Sequence, residues 1–271
     1  MPVSNHLNSL IALVFAFGLL NCGEGSVPPP ALDLAGVRVV DLSYAYDEST
    51  LYWPTSPSAF ELEVLHQGPT DAGFFYSANS ISTPEHGGTH LDAPFHFSGD
   101  GWTVDQIPIE RLIGPAVVVD VADRALDDSD YRLAVEDVER WEANHGEVPE
   151  GAIVLVRTGW GAKWPDAKAY LGDDTPGDPS NLHFPGYGEQ AAHWLVNERA
   201  VAVLGIDTAS IDHGPSRQFL AHQAAAAGNV PALENIANLD QLPPTGAWVL
   251  ALPMKIGGGS GGPVRIAALV P

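Results

Sequence analysis

Short runs of β-branched and aliphatic residues recur along this chain and constrain its fold more than any other feature. They are VRVVDL (37–42), AVVVDV (116–121), AIVLVRT (152–158), VAVLGID (201–207), AWVLAL (247–252) and VRIAAL (264–269). Each has the length and side-chain content of a strand. FELEVL (60–65) adds an apolar–polar alternation, the pattern of a strand with one face in the core. Helical periodicity fits VEDVERWEANH before Gly146, EQAAHWLVNERA after Gly188, and RQFLAHQAAAA between Ser216 and Gly228. Strands and helices mix without strict alternation. The expected fold is a single α/β domain with a mixed, partly barrel-like β-sheet flanked by helices.

That domain is expected to run over residues 33–271, because no repeat, low-complexity run or long linker breaks the span. With 271 residues and 45% hydrophobic content the chain can bury a sizeable core. Its 12 basic and 34 acidic residues give a formal charge of −22. Such a surface repels phosphate backbones and anionic headgroups, which argues against nucleic acid as a partner. The single cysteine, Cys22, permits neither an intramolecular disulfide nor a thiolate metal cluster.

The residues ahead of that domain follow a different logic. SLIALVFAFGLL (9–20) is an uncharged apolar run, shorter than the roughly 20 residues a bilayer span needs. It suits the core of a signal peptide, expected over residues 1–21. Cys22 directly follows, where the acylated cysteine of a bacterial lipoprotein stands, and residues 22–32 would form a flexible tether. A periplasmic protein, anchored to a membrane through Cys22, is the expectation. Asn21 and the lack of Lys or Arg in MPVSNHLN depart from that pattern. The plainer alternative is that Cys22 leaves with the cleaved peptide.

HGGTHLDAPFHF (86–97) packs three histidines and one aspartate into a loop broken by Gly87, Gly88 and Pro94. Those residues disfavour a helix, and in an extended segment His90 and Asp92 project to the same side. Two imidazoles and a carboxylate suit Zn²⁺, Mn²⁺ or Fe²⁺, and three protein ligands leave room for water. His96, beyond Pro94, is free for another task. The isolated His6, His66, His145, His183 and His193 read more simply as core or surface residues.

The same stretch resembles the signature of the cyclase family of metal-dependent hydrolases, which includes bacterial kynurenine formamidase and isatin hydrolase. VLVRTGW (154–160), GIDTASID (205–212) and LPMKIGGGSGGPVRIAAL (252–269) resemble further family segments in the same order. The likeness covers nearly everything from about residue 33 and is nearest to the isatin-hydrolase-like members. It implies a swivelling β/β/α type of fold, with His86, His90 and Asp92 as metal ligands and His96 as the catalytic acid/base. In the formamidase branch a later His, with a Glu twelve residues beyond, shares a second ion. His222 and Glu234 stand at that spacing, with His213 as a competing late histidine. One or two ions of Zn²⁺ or Mn²⁺ are implied. On its own residues, His222 lies in an Ala-rich helical segment one turn after Gln218. Glu234 follows Pro231 in an apolar stretch, where an unpaired carboxylate is costly. Their simpler roles are a helix-surface histidine and a hydrogen-bonded buried acid. A homo-oligomer, dimer or tetramer, is also expected.

A metal-activated water with a neighbouring imidazole to relay its proton makes a hydrolase that needs no serine nucleophile. The chain has no G-x-S-x-G elbow; GGSGG around Ser260 only mimics it and is expected to be a structural loop. Aromatic residues crowd near the motif, and Trp53, Phe74, Tyr76 and Phe97 are candidates to bind a flat aromatic or cyclic amide or ester. The expected activity is hydrolysis of a non-peptide C–N bond in a cyclic or aryl amide, isatin-like or N-formylkynurenine-like. The alternative is an exported, non-catalytic metal- or ligand-binding lipoprotein on the same fold. His96 discriminates, because metal binding alone requires no acid/base.

Overall fold

The structure, a computed structural model, describes residues 35–271, so the expected signal peptide, Cys22 and the tether lie outside the described residues. Its strands are β1 (Arg38–Asp41), β2 (Glu61–Pro69), β3 (Phe75–Ser82), β4 (His90–Asp92), β5 (Ile113–Asp120), β6 (Arg132–Leu133), β7 (Ile153–Arg157), β8 (Gly186–Tyr187), β9 (Val203–Ile206), β10 (Ala232–Glu234), β11 (Trp248–Pro253) and β12 (Gly261–Val270). Its α-helices are α1 (Ala122–Asp127), α2 (Val135–His145), α3 (Ala167–Leu171), α4 (Glu189–Glu198) and α5 (Leu220–Ala227).

The main sheet runs β1-β12-β11-β5-β7-β9-β10-β4, and β12 also pairs with β4. That last pairing closes seven of the eight strands into a ring, with β1 added on β12. The partly barrel-like mixed sheet expected from the sequence is therefore present. Strands β5, β7, β9 and β10 are mutually parallel, with α2, α4 and α5 in the crossovers between them. The middle of the chain thus alternates strand and helix more regularly than the sequence indicates, because short turns and the small pair β6–β8 interrupt the pattern. The closing pairs, β11–β12, β12–β4 and β4–β10, are antiparallel.

Alternation along the strands divides the core in two. Ala116, Val118, Ile153, Leu155 and Val203 point into the ring with Leu91, Leu233, Val249 and Ile266. Val117, Val119, Val154, Val156, Leu204 and Ile206 point outward beneath helix residues such as Val138, Trp141, Leu195 and Ala221. Burial on both faces is why these strands read as unbroken apolar runs.

Two expectations are corrected. FELEVL does form β2, but not as a half-buried strand: Leu62, Val64 and Leu65 are all more than half exposed. β2 and β3 form a separate two-stranded sheet, so the alternation has no core to face. The third helix starts at Leu220, later than its periodicity implies, because Phe219 occupies the left-handed region at φ 53°. Gln218 therefore precedes the helix and is not a turn below His222.

Candidate metal centre

The loop expected to be irregular contains one short strand, and that strand builds the site. β4 is His-Leu-Asp: Leu91 fills the ring interior, so His90 and Asp92 face the other way. β10 pairs with it so that Leu233 lies opposite Leu91 and Glu234 opposite His90. The carboxylate of Glu234 thereby joins the same face. Just before β4, Gly88 turns the chain at φ 56°, and a Cβ there would fall 2.7 Å from the Tyr46 ring. Only glycine fits comfortably. The turn aims the Gly88 carbonyl at His90, whose Nδ1 lies 3.0 Å away, leaving Nε2 to face Asp92. Asn235 holds the same carbonyl from behind, donating Nδ2–H at 2.7 Å.

Asp92 is the hub. Its Oδ1 lies 2.6 Å from His86 Nδ1 and 3.1 Å from His90 Nε2, while its Oδ2 lies 3.1 Å from His222 Nε2. Glu234 Oε1 is 3.1 Å from His222 Nε2 and accepts the Ile211 N–H at 2.8 Å. Two convergent donor sets result, His86–His90–Asp92 and Asp92–His222–Glu234, each within 4.8 Å and sharing Asp92. The structure so brings together all five residues proposed as ligands. His213 belongs to neither set.

Sequence reasoning missed Asp212. Its Oδ2 stands 2.7 Å from His222 Nδ1, and its two oxygens accept the backbone N–H groups of Ala221 and His222 at the start of α5. Asp212 thereby turns Nε2 of His222 towards Asp92 and Glu234. Its only sequence signal is an acid ten residues before a histidine, inside the quoted GIDTASID.

The electrostatics favour added positive charge. Burial acts against protonation of His90, yet Asp92 and Glu234 overcome it and raise its pKa to about 9. Burial likewise acts against charge on His222, which Asp212, Asp92 and Glu234 outweigh, raising its pKa well above the ordinary value. Asp92 is held well below the carboxylate range: burial opposes this, and His86, His90 and His222 more than offset it. Among the described residues, no lysine or arginine lines the pocket. Imidazole nitrogens and carboxylate oxygens converging in a negative field, with no basic side chain between them, fit a divalent metal.

The centre opens into a cavity of about 290 Å³. His96, on a single 3₁₀ turn (Pro94–His96), stacks on His86 with ring centroids 3.8 Å apart. It is exposed along the rim, and the packing it has desolvates the imidazole and lowers its pKa below the ordinary value. Trp53, Phe97 and Phe219 form the aromatic wall: Phe219 lies 6.2 Å from Trp53 and 5.5 Å from Phe97, centroid to centroid. Of the expected substrate-binding residues, Trp53 and Phe97 are here. Phe74 and Tyr76 are not; they sit on the projecting hairpin, 58% and 50% exposed, because β3 carries them away and the chain returns only at His86. Phe219 lies far from the motif in sequence, and nothing local announces its left-handed backbone.

The family model described as "Putative cyclase" matches residues 40–213. An isatin hydrolase of Roseibium aggregatum is 36% identical over 208 residues, covering 73% of this chain and 77% of that protein. A kynurenine formamidase of Salinibacter ruber is 27% identical over 84% of this chain and 96% of its own length. Among solved structures, isatin hydrolase A from Ralstonia solanacearum superposes with a TM-score of 0.79 at 36% identity, covering 88% of this chain and 93% of that one.

The shared carboxylate generates a prediction. Asp92→Ala should abolish binding at both donor sets, whereas Glu234→Ala should cost only the ion at its own set. Elemental analysis of protein loaded with Mn²⁺ or Zn²⁺ checks this, and equal metal content in the two variants would refute the sharing.

Proposed function

This chain belongs to the cyclase family of metal-dependent amide hydrolases, and from that premise we propose that it opens a flat cyclic amide of the isatin type, with His96 as the acid/base. The observation that carries the reading is the position of His96, stacked on a candidate ligand at the rim of an aromatic-walled cavity. A protein that only stored metal would have no use for an imidazole held there. The higher identity to an isatin hydrolase than to a kynurenine formamidase favours a ring amide over an aryl formamide.

His86, His90 and Asp92, with His222 and Glu234 beside them, would hold one or two Zn²⁺ or Mn²⁺ ions. A bound divalent ion supplies a Lewis acid for the amide carbonyl and makes water acidic enough to ionise near neutral pH. Trp53, Phe97 and Phe219 stack against the planar substrate and exclude bulk water. The lowered pKa of His96 keeps its ring neutral near pH 7, with a lone pair ready. His96 takes a proton from water as the water oxygen adds to the carbonyl carbon. It returns that proton to the nitrogen as the C–N bond breaks. One water is consumed, its second proton staying on the new carboxyl group, so that a free amine and a carboxylic acid result, and the acid releases that proton to solvent near pH 7.

Two further features belong to the same proposal. The β2–β3 hairpin exposes Leu62, Val64, Leu65, Phe75, Tyr76 and Ile81. An isolated two-stranded hairpin is marginal in water, and an apolar one invites a partner. We take that partner to be a second copy, in a dimer or tetramer. The apolar run 9–20 and Cys22, outside the described residues, support export to the periplasm and a lipid anchor.

Purified protein loaded with Mn²⁺ or Zn²⁺ should hydrolyse isatin faster than N-formylkynurenine or simple lactones. His96→Ala should keep its metal and lose about 10²–10⁴ in turnover; no activity on any of the three, or an active His96→Ala, would refute the reading. Replacing Leu62, Val64 and Phe75 together by serine should lower the mass measured by light scattering to that of the monomer. An unchanged mass would remove the hairpin from the interface. Fractionation of cells making the full-length chain should find it in membranes and Cys22→Ala outside them or unprocessed. Wild-type protein wholly in the cytoplasm would refute export.

A further inference from the structure

Two of the three imidazoles in the donor sets are held at the nitrogen that faces away from Asp92. His90 uses the Gly88 carbonyl and His222 the Asp212 carboxylate. His86 has an outer partner too, and it comes from the glycine-rich segment around Ser260, far along the chain. Ser260 Oγ lies 2.9 Å from His86 Nε2. The same hydroxyl lies 2.6 Å from Glu85 Oε2, and the Ser260 N–H donates to that oxygen at 3.1 Å.

Proton counting fixes the direction of this chain. A serine hydroxyl has one proton to give, and a carboxylate can only accept. The proton of Ser260 therefore goes to Glu85, and its oxygen accepts the Nε2–H of His86. Nδ1 of His86 faces Asp92 Oδ1 at 2.6 Å, and because that carboxylate too can only accept, Nδ1 becomes the ligating nitrogen when an ion takes the place of the proton between them, with Nε2–H still held by Ser260.

The loop is shaped for this contact. Ser260 O accepts the Ala93 N–H at 2.8 Å, and Gly261 pairs with Asp92 at the start of β12. A Cβ on residue 261 would fall 2.7 Å from His86 Cε1 and 2.6 Å from the Leu91 carbonyl oxygen. Glycine is what lets the backbone pass over the imidazole. Ser260 thus stands where three constraints meet: the ring seam, the imidazole and the Glu85 carboxylate.

We propose that Glu85 and Ser260 are positioning residues, a carboxylate–hydroxyl–imidazole relay that sets the tautomer and orientation of His86 for metal binding at the His86–His90–Asp92 set. The proposal rests on the reading of His86 as a ligand. Asp212 serves His222 in one donor set; Ser260 and Glu85 reach only His86 in the other, so the relay acts on that set alone.

Mn²⁺ titration of the metal-free full-length protein, with free Mn²⁺ followed by electron paramagnetic resonance, tests it. Ser260→Ala and Glu85→Gln should each weaken one class of site by about 10–100-fold, the cost usual for removing an outer partner of a ligating histidine. The ion at the set containing His222 should stay at wild-type affinity. Ser260→Thr, which keeps the hydroxyl, should restore the weakened site. The melting temperature of metal-free Ser260→Ala should match the wild type, whereas the rise on adding Mn²⁺ should shrink. Wild-type affinity in both Ser260→Ala and Glu85→Gln, failure of Ser260→Thr to restore it, or an equal loss of metal-free stability would overturn the relay. His86→Ala separates the two levels. If it too binds Mn²⁺ as the wild type does, the assignment of His86 as a ligand is what fails.

Discussion

A single buried carboxylate organises this molecule. Asp92 has three imidazoles about it, and its two oxygens serve different sets. Taking a carboxylate out of water is expensive unless charge and hydrogen bonds compensate it. The compensation comes from His86 and His90 within its own loop and strand and from His222 on α5. That need ties the loop, the sheet and the helix layer to one point, where two candidate donor sets for a cation converge.

The sheet supplies the rigidity this arrangement requires. β4 is only three residues long, yet it is the stave that closes the ring, flanked by β10 and β12. Strand alternation then sorts its residues without further instruction: Leu91 and Leu233 anchor the interior, and His90, Asp92 and Glu234 face the pocket. A ligand pair on neighbouring strands of a closed sheet cannot drift apart without opening the ring. His96 and the aromatic wall lie on the turn, loops and helix start around it.

What the sequence made legible follows from how far apart the cooperating residues are. The motif at 86–97 was readable because four polar groups fall within one loop, and short unbroken β-branched and aliphatic runs announced the strands. The closed ring was only hinted at, since it depends on β12 pairing with β4 across most of the chain. Phe219 and the role of Ser260 were hidden for the same reason, since their partners Phe97 and His86 are distant in sequence, whereas Asp212 stands only ten residues before His222 and was missed because that spacing has no helical or strand period. The hairpin misled in the opposite direction. Alternation in FELEVL and aromatics at Phe74 and Tyr76 carry the marks of a buried strand near a pocket, but burial is a property of neighbours, and within one chain this hairpin has few.

The most direct test of the account is anomalous diffraction from crystals of the full-length protein grown with Zn²⁺ or Mn²⁺, recorded on either side of the metal edge. The account predicts anomalous density against the Asp92 carboxylate, one peak bonded to Oδ1 with His86 and His90 and, when both sets fill, a second bonded to Oδ2 with His222 and Glu234. Metal bound elsewhere with Asp92 free of it, or no anomalous density in the cavity of metal-loaded protein, would contradict the central role assigned to that carboxylate.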